Sequence, residues 1–240
     1  MATIVLVPGA CLGAWAWSEV TPRLEAAGHD VHPLTLTGLG GQERDADVSG
    51  VDLSVHGRDV VALLEREELR DVVLVGHSYS GGAITAAAEL APERIARLVY
   101  LDAEIPQDGV SAFAGAGPEF EGAITSAAEA GGDPTRVPFF TDAELETYYG
   151  EHELTAEQIA AIRTQGAGHP IAGFHEALDL TNADAAALPR TYVTCLRRSF
   201  PSPVDAATPG WSHVTLDAGH WPMFSQPAAT AEVLDRVARG

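Results

Sequence analysis

The chain has 240 residues and a formal net charge of −20, from 34 acidic and 14 basic side chains. A surface this acidic is repelled by nucleic acid and by anionic membranes, so neither is expected as a partner. The two cysteines, Cys11 and Cys195, are too few for a disulfide framework and show no metal-ligand spacing, so no metal site is predicted.

Short apolar runs alternate with helical patterns along the chain, which is typical of a parallel sheet covered by helices on both faces. The predicted strands are Thr3–Val7, Asp30–Leu34, Val72–Val75, Leu98–Leu101, Thr191–Leu196 and His213–Leu216. The predicted helices are Trp17–Ala27, Leu53–Glu68, Gly81–Ala91 and, at the end of the chain, Ala228–Ala238. The predicted fold class is therefore α/β, with a mostly parallel sheet of six strands.

The first strand begins directly after Met1-Ala2 and ends at the turn Pro8-Gly9. No basic segment precedes it, and the apolar run is too short for a signal peptide. No other apolar segment reaches the length of a membrane span. The expected location is therefore the cytoplasm.

The third strand leads into Gly76-His77-Ser78-Tyr79-Ser80-Gly81-Gly82, and a helical pattern follows at once. A serine on such a tight turn presents its hydroxyl above the sheet, and the helix N-terminus favours the negative charge that develops during attack. Gly76 is the small residue that close strand-to-helix packing requires, although Ser80 replaces the usual glycine two positions after the serine. Ser78 is the predicted nucleophile, and the alternative is a Gly/Ser-rich loop without chemistry.

A serine nucleophile needs an oxyanion hole, in which two backbone N–H groups point at one position. One donor is expected from Tyr79, the residue after the serine. The other is expected from Ala10, in the glycine-rich loop after the first strand. The alternative for this loop is a plain turn between a strand and a helix.

The alternation of strands and helices breaks between Leu101 and Leu188. We predict that residues 105–187 form a helical lid inserted in a core of residues 1–104 and 188–240, over the edge where α/β proteins bind ligands. Four aromatic residues are expected to line an apolar pocket there, although aromatic residues of a lid can equally form its own small core. They are Trp15, Trp221, Phe139 and Phe140.

The general base is expected to be a histidine between the last strand and the last helix. His220 is the histidine that fits this position, whereas His29, His32, His56 and His152 are expected at the surface. A structural role for His220 is the alternative.

The acid that orients the histidine is the least regular part of the pattern. Its common position follows the strand Thr191–Leu196, but the chain continues there as Arg197-Arg198-Ser199-Phe200-Pro201. Asp102 follows the strand next to the nucleophile strand and can approach His220 from the other side. Asp102 is therefore the first choice, Glu104 the second and Asp205 the third.

The elbow and the opening Val5-Leu6-Val7-Pro8-Gly9-Ala10-Cys11-Leu12-Gly13-Ala14-Trp15 resemble the α/β-hydrolase superfamily, in particular the plant methylesterase and hydroxynitrile lyase group with its bacterial esterase relatives. The resemblance implies a Ser-His-acid triad, an oxyanion hole at Ala10 and Tyr79, and a lidded apolar pocket. Plant members carry their acid where this chain has Arg197-Arg198. Hydroxynitrile lyases use a lysine beyond the histidine, and this chain contains no lysine, so cyanohydrin cleavage is not expected.

These features predict a serine hydrolase that needs no cofactor and cleaves a small to medium apolar or aryl ester, or a lactone, through an acyl-enzyme. Its expected partner is the small-molecule substrate, and a homodimer is left open. A lactonase, thioesterase or cyclase of secondary metabolism is one alternative. A non-catalytic small-molecule receptor is the other, favoured by the missing carboxylate after Leu196.

Overall fold

The structure is a computed structural model and describes residues 1–40, 46–198 and 201–240. The strands are β1 (Thr3–Val7), β2 (Asp30–Pro33), β3 (Val72–His77), β4 (Ile95–Leu101), β5 (Arg136–Val137), β6 (His169–Pro170), β7 (Arg190–Cys195) and β8 (Trp211–Leu216). Six of them form one sheet in the order β2-β1-β3-β4-β7-β8, with parallel pairing throughout. The predicted fold class is confirmed.

Helices cover this sheet and fill the segment before β7. They are α1 (Thr21–Ala26), α2 (Leu53–Arg66), α3 (Ser80–Leu90), α4 (Ala112–Ala116), α5 (Pro118–Ala130), α6 (Asp142–Tyr149), α7 (Ala156–Gln165), α8 (Ala172–His175), α9 (Ala183–Ala187), α10 (Pro222–Ser225) and α11 (Pro227–Ala238). The helix predicted from Trp17 begins only at Thr21, because Pro22 favours the first turn of a helix and a short 3-10 turn, Ala14–Trp17, precedes it.

The core lies on both faces of the sheet, as β3 illustrates. Val72 and Leu74 pack into one apolar cluster with α2 and α3, whereas Val73 and Val75 pack into the other with α1 and α11. Because successive side chains of a strand point to opposite faces, a strand buried on both sides must be apolar at every position. This explains the unbroken apolar run before the elbow.

The expectation of surface positions is wrong for His29 and His56, which are 6% and 0% exposed. His56 lies on the inner side of α2, where its Nε2 donates to the carbonyl of Thr37 and its Nδ1 accepts from the hydroxyl of Tyr79. His29 is paired with Asp235 of α11. Each imidazole is thus hydrogen-bonded inside the fold, and its short sequence context gave no sign of those distant partners.

Residues 105–187 contain α4 to α9 and an antiparallel ribbon of β5 and β6. The ribbon was not predicted, because strands of two residues carry no periodicity. The segment touches the loops at the carboxyl edge of the sheet: Ala167 N–H donates to Cys11 O at 3.2 Å, and Glu153 Oε2 accepts from Gly219 N–H at 2.9 Å. These contacts suit a lid, and the domain boundaries stay a prediction. Within the described ranges, no helix is long and apolar enough to cross a bilayer.

Candidate active site

Ser78 stands on the turn between β3 and α3 with a φ of +54°. A left-handed backbone is uncommon outside glycine, and here it is supported from both sides. Ser78 N–H donates to Leu101 O at 3.3 Å, and Ser78 O accepts from Glu104 N–H at 3.0 Å. A Cβ on Gly76 would lie 2.5 Å from Ser80 O, so only glycine permits this approach of strand and helix.

His220 lies between the nucleophile candidate and a buried carboxylate. Its Nδ1 donates to Asp102 Oδ2 at 2.7 Å, which leaves Nε2 as the acceptor for the Ser78 hydroxyl at 3.0 Å. His220 and Asp102 are 5% and 3% exposed. The structure therefore brings Ser78, His220 and Asp102 into one hydrogen-bonded row, with distances suited to transfer of the serine proton.

Asp102 follows β4 and is held by β7 as well as by His220. Its N–H donates to Val193 O at 2.8 Å, and its Oδ1 accepts from Arg198 Nη1 at 2.8 Å. Burial alone raises the pKa of this carboxyl, but the hydrogen bond and charge of His220, together with Arg198, outweigh burial and lower the pKa below its ordinary value. Asp102 is therefore held as a carboxylate, the form that stabilises an imidazolium.

The other two candidate acids do not take this place. Glu104 donates its backbone N–H to Ser78, but no hydrogen bond joins its carboxylate to His220 within the described part of the chain. Asp205 is exposed and bonds to Thr208 and Ala207 in its own loop. Ser199 and Phe200, in the segment after β7 where the resemblance places the acid, lie outside the described residues.

The two expected oxyanion donors flank the elbow. A Cβ on Gly9 would lie 2.9 Å from Ser78 Cβ, so the loop that carries Ala10 packs directly against the serine. Tyr79 is the N-cap of α3. Within residues 1–40, 46–198 and 201–240, neither the Ala10 nor the Tyr79 N–H donates to a protein acceptor. Two backbone N–H groups that lie beside a nucleophile and donate to no acceptor in the described part of the chain are able to bind the oxygen on which negative charge develops.

His77 and Tyr149 support the histidine, a role that was not predicted for either of them from the sequence. His77 Nε2 donates to the carbonyl of His220 at 2.7 Å, and burial, followed by the charge of His220, lowers the pKa of His77 to about 3. Tyr149, at the end of α6, stacks on the His220 ring with centroids 4.9 Å apart. A histidine directly before the serine is a visible signal for the first contact, whereas no local pattern announces the second.

The four predicted pocket aromatics separate into two places. Phe139 and Phe140 pack against Trp221, with ring centroids 5.6 and 6.3 Å from it, and Trp221 adjoins His220. Trp15 packs instead against Phe224 at 5.8 Å. Contact of any of them with a substrate stays a prediction.

Comparison with known proteins agrees with this architecture. The sequence profile described as "Alpha/beta hydrolase family" matches residues 4–233. The chain is 33% identical to the carbendazim hydrolyzing esterase of Nocardioides sp. (strain SG-4G) over 98% of both chains. It is 29% identical to the pyrethroid hydrolase of Sphingobium wenxiniae, over 96% of this chain and 85% of that one. It also superimposes on the crystal structure of the methylesterase protein MES16 from Arabidopsis with a TM-score of 0.75 and 26% identity, over 100% of this chain and 99% of that one.

Proposed function

The chain belongs to the alpha/beta hydrolase family, and from that premise we propose that it is a serine esterase that cleaves small to medium carboxylic esters through an acyl-enzyme. The observation that carries the proposal is the row Ser78–His220–Asp102, joined by hydrogen bonds of 3.0 and 2.7 Å. The named relatives are esterases and hydrolases, which supports the same class of reaction.

In the first half of the proposed reaction, His220 Nε2 takes the proton of the Ser78 hydroxyl as Oγ bonds to the ester carbonyl carbon. The carbonyl oxygen gains the negative charge and is bound by the N–H groups of Ala10 and Tyr79. The tetrahedral intermediate collapses when His220 gives its proton to the leaving alkoxide. Alcohol departs, and the acyl group remains on Ser78.

In the second half, water takes the place of the alcohol. His220 removes one proton from the water as its oxygen attacks the acyl carbon, and then returns that proton to Ser78 Oγ as the carboxylic acid is released. Asp102 accepts from Nδ1 throughout and stabilises the imidazolium that exists while each tetrahedral intermediate forms. Each residue thus ends the cycle in its starting state.

Two other activities fit the site less well. A lysine for departing cyanide is absent from the sequence, which speaks against cyanohydrin cleavage. A non-catalytic receptor was favoured by the missing carboxylate after β7. Asp102 supplies a carboxylate from another strand, with its Oδ2 2.7 Å from His220 Nδ1, so this argument for a receptor no longer holds.

We propose apolar, aryl-type or lactone substrates, since aromatic rings border the histidine and relatives are named for hydrolysing carbendazim and pyrethroids. A substrate series from acetate to long-chain esters tests this. Short and aryl esters should react fastest. A preference for long acyl chains would contradict the proposed substrate class.

The reaction is tested by following hydrolysis of p-nitrophenyl acetate and butyrate by the wild type and by Ser78→Ala. We expect turnover to vanish in the variant while its circular dichroism and melting temperature stay close to wild type. Ser80→Ala serves as the matched control, because this neighbouring serine donates to Pro8 O and does not contact His220. Turnover that persists without the Ser78 hydroxyl would refute the proposed mechanism.

A further inference from the structure

Two arginines, Arg197 and Arg198, follow β7, and the structure gives Arg198 a buried carboxylate as its partner. Arg198 Nη1 donates to Asp102 Oδ1 at 2.8 Å and to the Tyr192 hydroxyl at 3.2 Å. The side chains of Arg198 and Asp102 are 8% and 0% exposed. Removing one partner of a pair so completely shielded from water leaves the other as an uncompensated buried charge, which costs far more than breaking a surface ion pair.

We propose that Arg198 is a positioning residue for the ester hydrolysis, acting on His220 only through Asp102. This inference rests on the proposed function. The proposed acid, Asp102, follows β4, and the guanidinium of Arg198, three residues after β7, reaches across to hold it. The site is then a row of four groups, Ser78–His220–Asp102–Arg198, in which each carboxylate oxygen has its own donor.

The geometry explains why Asp102 needs the contact with Arg198. Asp102 has a φ of +45°, so its backbone does not favour the observed conformation by itself. Apart from Arg198, Oδ1 has a long contact of 3.4 Å with Cys195 N–H. Without the guanidinium, Oδ1 would be an almost unpaired charge, and the carboxylate would be free to rotate away from Nδ1 or to take up a proton. Either change weakens the orientation of His220.

Tyr192 fixes the arginine in turn. Its hydroxyl accepts from Arg198 Nη1 and donates to Ala103 O at 3.0 Å, next to Asp102 in the chain. Arg198 therefore bridges β7 to the end of β4 by two contacts. A lysine would keep the positive charge but would not reproduce two directed bonds from a planar group.

Arg197 is a matched control in the adjacent position. It is 39% exposed and pairs with Glu153 and Asp217, at 3.0 and 2.9 Å, rather than with Asp102. Both arginines follow the same strand and both carry one positive charge. Of the two, only Arg198 contacts the proposed triad. Comparing the effects of removing each charge in turn therefore separates a positioning role from a general electrostatic effect.

Because Arg198 is positively charged, the proposal also predicts a change in the pH dependence of kcat/KM when this residue is replaced. The groups that face Asp102 are His220, Arg198, the buried imidazole of His77, the hydroxyls of Tyr192 and Tyr149, and the Cys195 thiol. Removing the guanidinium removes a positive charge beside the Asp102–His220 pair and favours proton uptake by the pair. The acid limb of the profile should then move to higher pH by about one unit in Arg198→Met.

The test compares Arg198→Met, Arg198→Lys and Arg197→Met with the wild type on p-nitrophenyl butyrate. We expect Arg198→Met to lower kcat about 100-fold with little change in KM, because a small misplacement of a triad member acts on the chemical step. Arg198→Lys should recover part of the rate and leave the acid limb where it is. Arg197→Met should stay within about threefold of wild type, as expected for an exposed pair.

The second arm introduces Arg198→Met into the Asp102→Asn background. That double variant leaves no uncompensated buried charge and should therefore fold even if Arg198→Met alone does not. Because Arg198 acts only through Asp102, kcat of the double variant should equal or exceed that of Asp102→Asn. A further drop of about 100-fold there would overturn the proposal. So would equal losses in Arg198→Met and Arg197→Met, or an unmoved acid limb. Turnover retained by Ser78→Ala would instead mean that the esterase mechanism itself is wrong.

Discussion

At the scale of single residues, the main question is which carboxylate orients His220. Asp102 lies at the end of β4, 118 positions before the histidine that it contacts. Removal of its negative charge should leave His220 in the wrong tautomer and lower kcat by about 10⁴-fold. The measurement is kcat of Asp102→Asn on p-nitrophenyl butyrate at pH 7.5.

Asp205→Asn is the control for this loss, since Asp205 is exposed and bonded within its own loop, and we expect it to match wild type. Glu104→Gln tests the second candidate acid and should lose less than about tenfold. A greater loss in Glu104→Gln than in Asp102→Asn would move the acid to Glu104.

Ser78 and His220 could be placed from the sequence because each is marked by its own neighbours: a strand, a tight turn and a helix around one, and the last loop around the other. Asp102 was placed by elimination together with strand order. Its bond to Arg198 could not be found in this way, since the two residues are 96 positions apart and meet only when β4 pairs with β7. Contacts set by tertiary pairing leave no local pattern.

At the scale of elements, the site depends on how closely α3 approaches β3 and the chain after β4. A Cβ on Gly81 would overlap the carbonyl oxygen of Glu104 and lie 3.1 Å from Ala103 Cβ. The backbone after Asp102 would have to move away from the helix. Gly81 thus determines the position of the acid as well as the packing of the helix.

We expect Gly81→Ala to lower the free energy of unfolding by about 3 kcal/mol, as overpacking against rigid backbone does, and to lower kcat as well. Gly122→Ala is the matched control in α5, because a Cβ there meets no atom within 4 Å. Alanine at that position should raise the free energy of unfolding by up to about 1 kcal/mol. Urea denaturation measures both. Equal effects would show that close packing at Gly81 is not limiting.

The strands were easier to predict than their surroundings. β1 was predicted to the residue, and the other five sheet strands within three positions at each end. The inner strands are marked by continuous apolar runs because both of their faces are buried, whereas the edge strands β2 and β8 are partly exposed and were placed by their β-branched residues and their order in the chain. The lid contacts behaved differently. Glu153, with a φ of +58°, accepts from Gly219 N–H beside the histidine, and nothing in its acidic neighbourhood distinguishes it from other surface glutamates.

At the scale of the whole molecule, buried neutral histidines make the free energy of unfolding depend on pH, and one of them, His77, lies next to Ser78. Burial is the largest cause that lowers the pKa of His56, His77 and His169. Below about pH 6.5 the unfolded chain binds these protons and the folded chain does not, so stability is lost as the pH falls. These three histidines therefore favour unfolding in acid.

His169 offers a direct test of this linkage. It is fully buried among the rings of Tyr79, Phe174 and His56, and within the described ranges neither of its ring nitrogens has a hydrogen-bond partner. Phenylalanine suits those neighbours and cannot take up a proton. The free energy of unfolding of His169→Phe minus that of the wild type should therefore be about 2 kcal/mol larger at pH 5.0 than at pH 7.5. This value corresponds to one proton bound by the unfolded wild type over about 1.5 pH units below pH 6.5.

The comparison at pH 7.5 removes the effect of packing, since His169 is neutral there in both the folded and the unfolded chain. Urea unfolding of wild type and variant at the two pH values gives the difference. If the free energy of unfolding of the variant exceeds that of the wild type by the same amount at both pH values, His169 already carries its proton in the folded state at pH 5.0. The acid sensitivity would then have to arise from His56 and His77 and, below about pH 4, from carboxylates such as Asp102, whose pKa is lowered in the folded state.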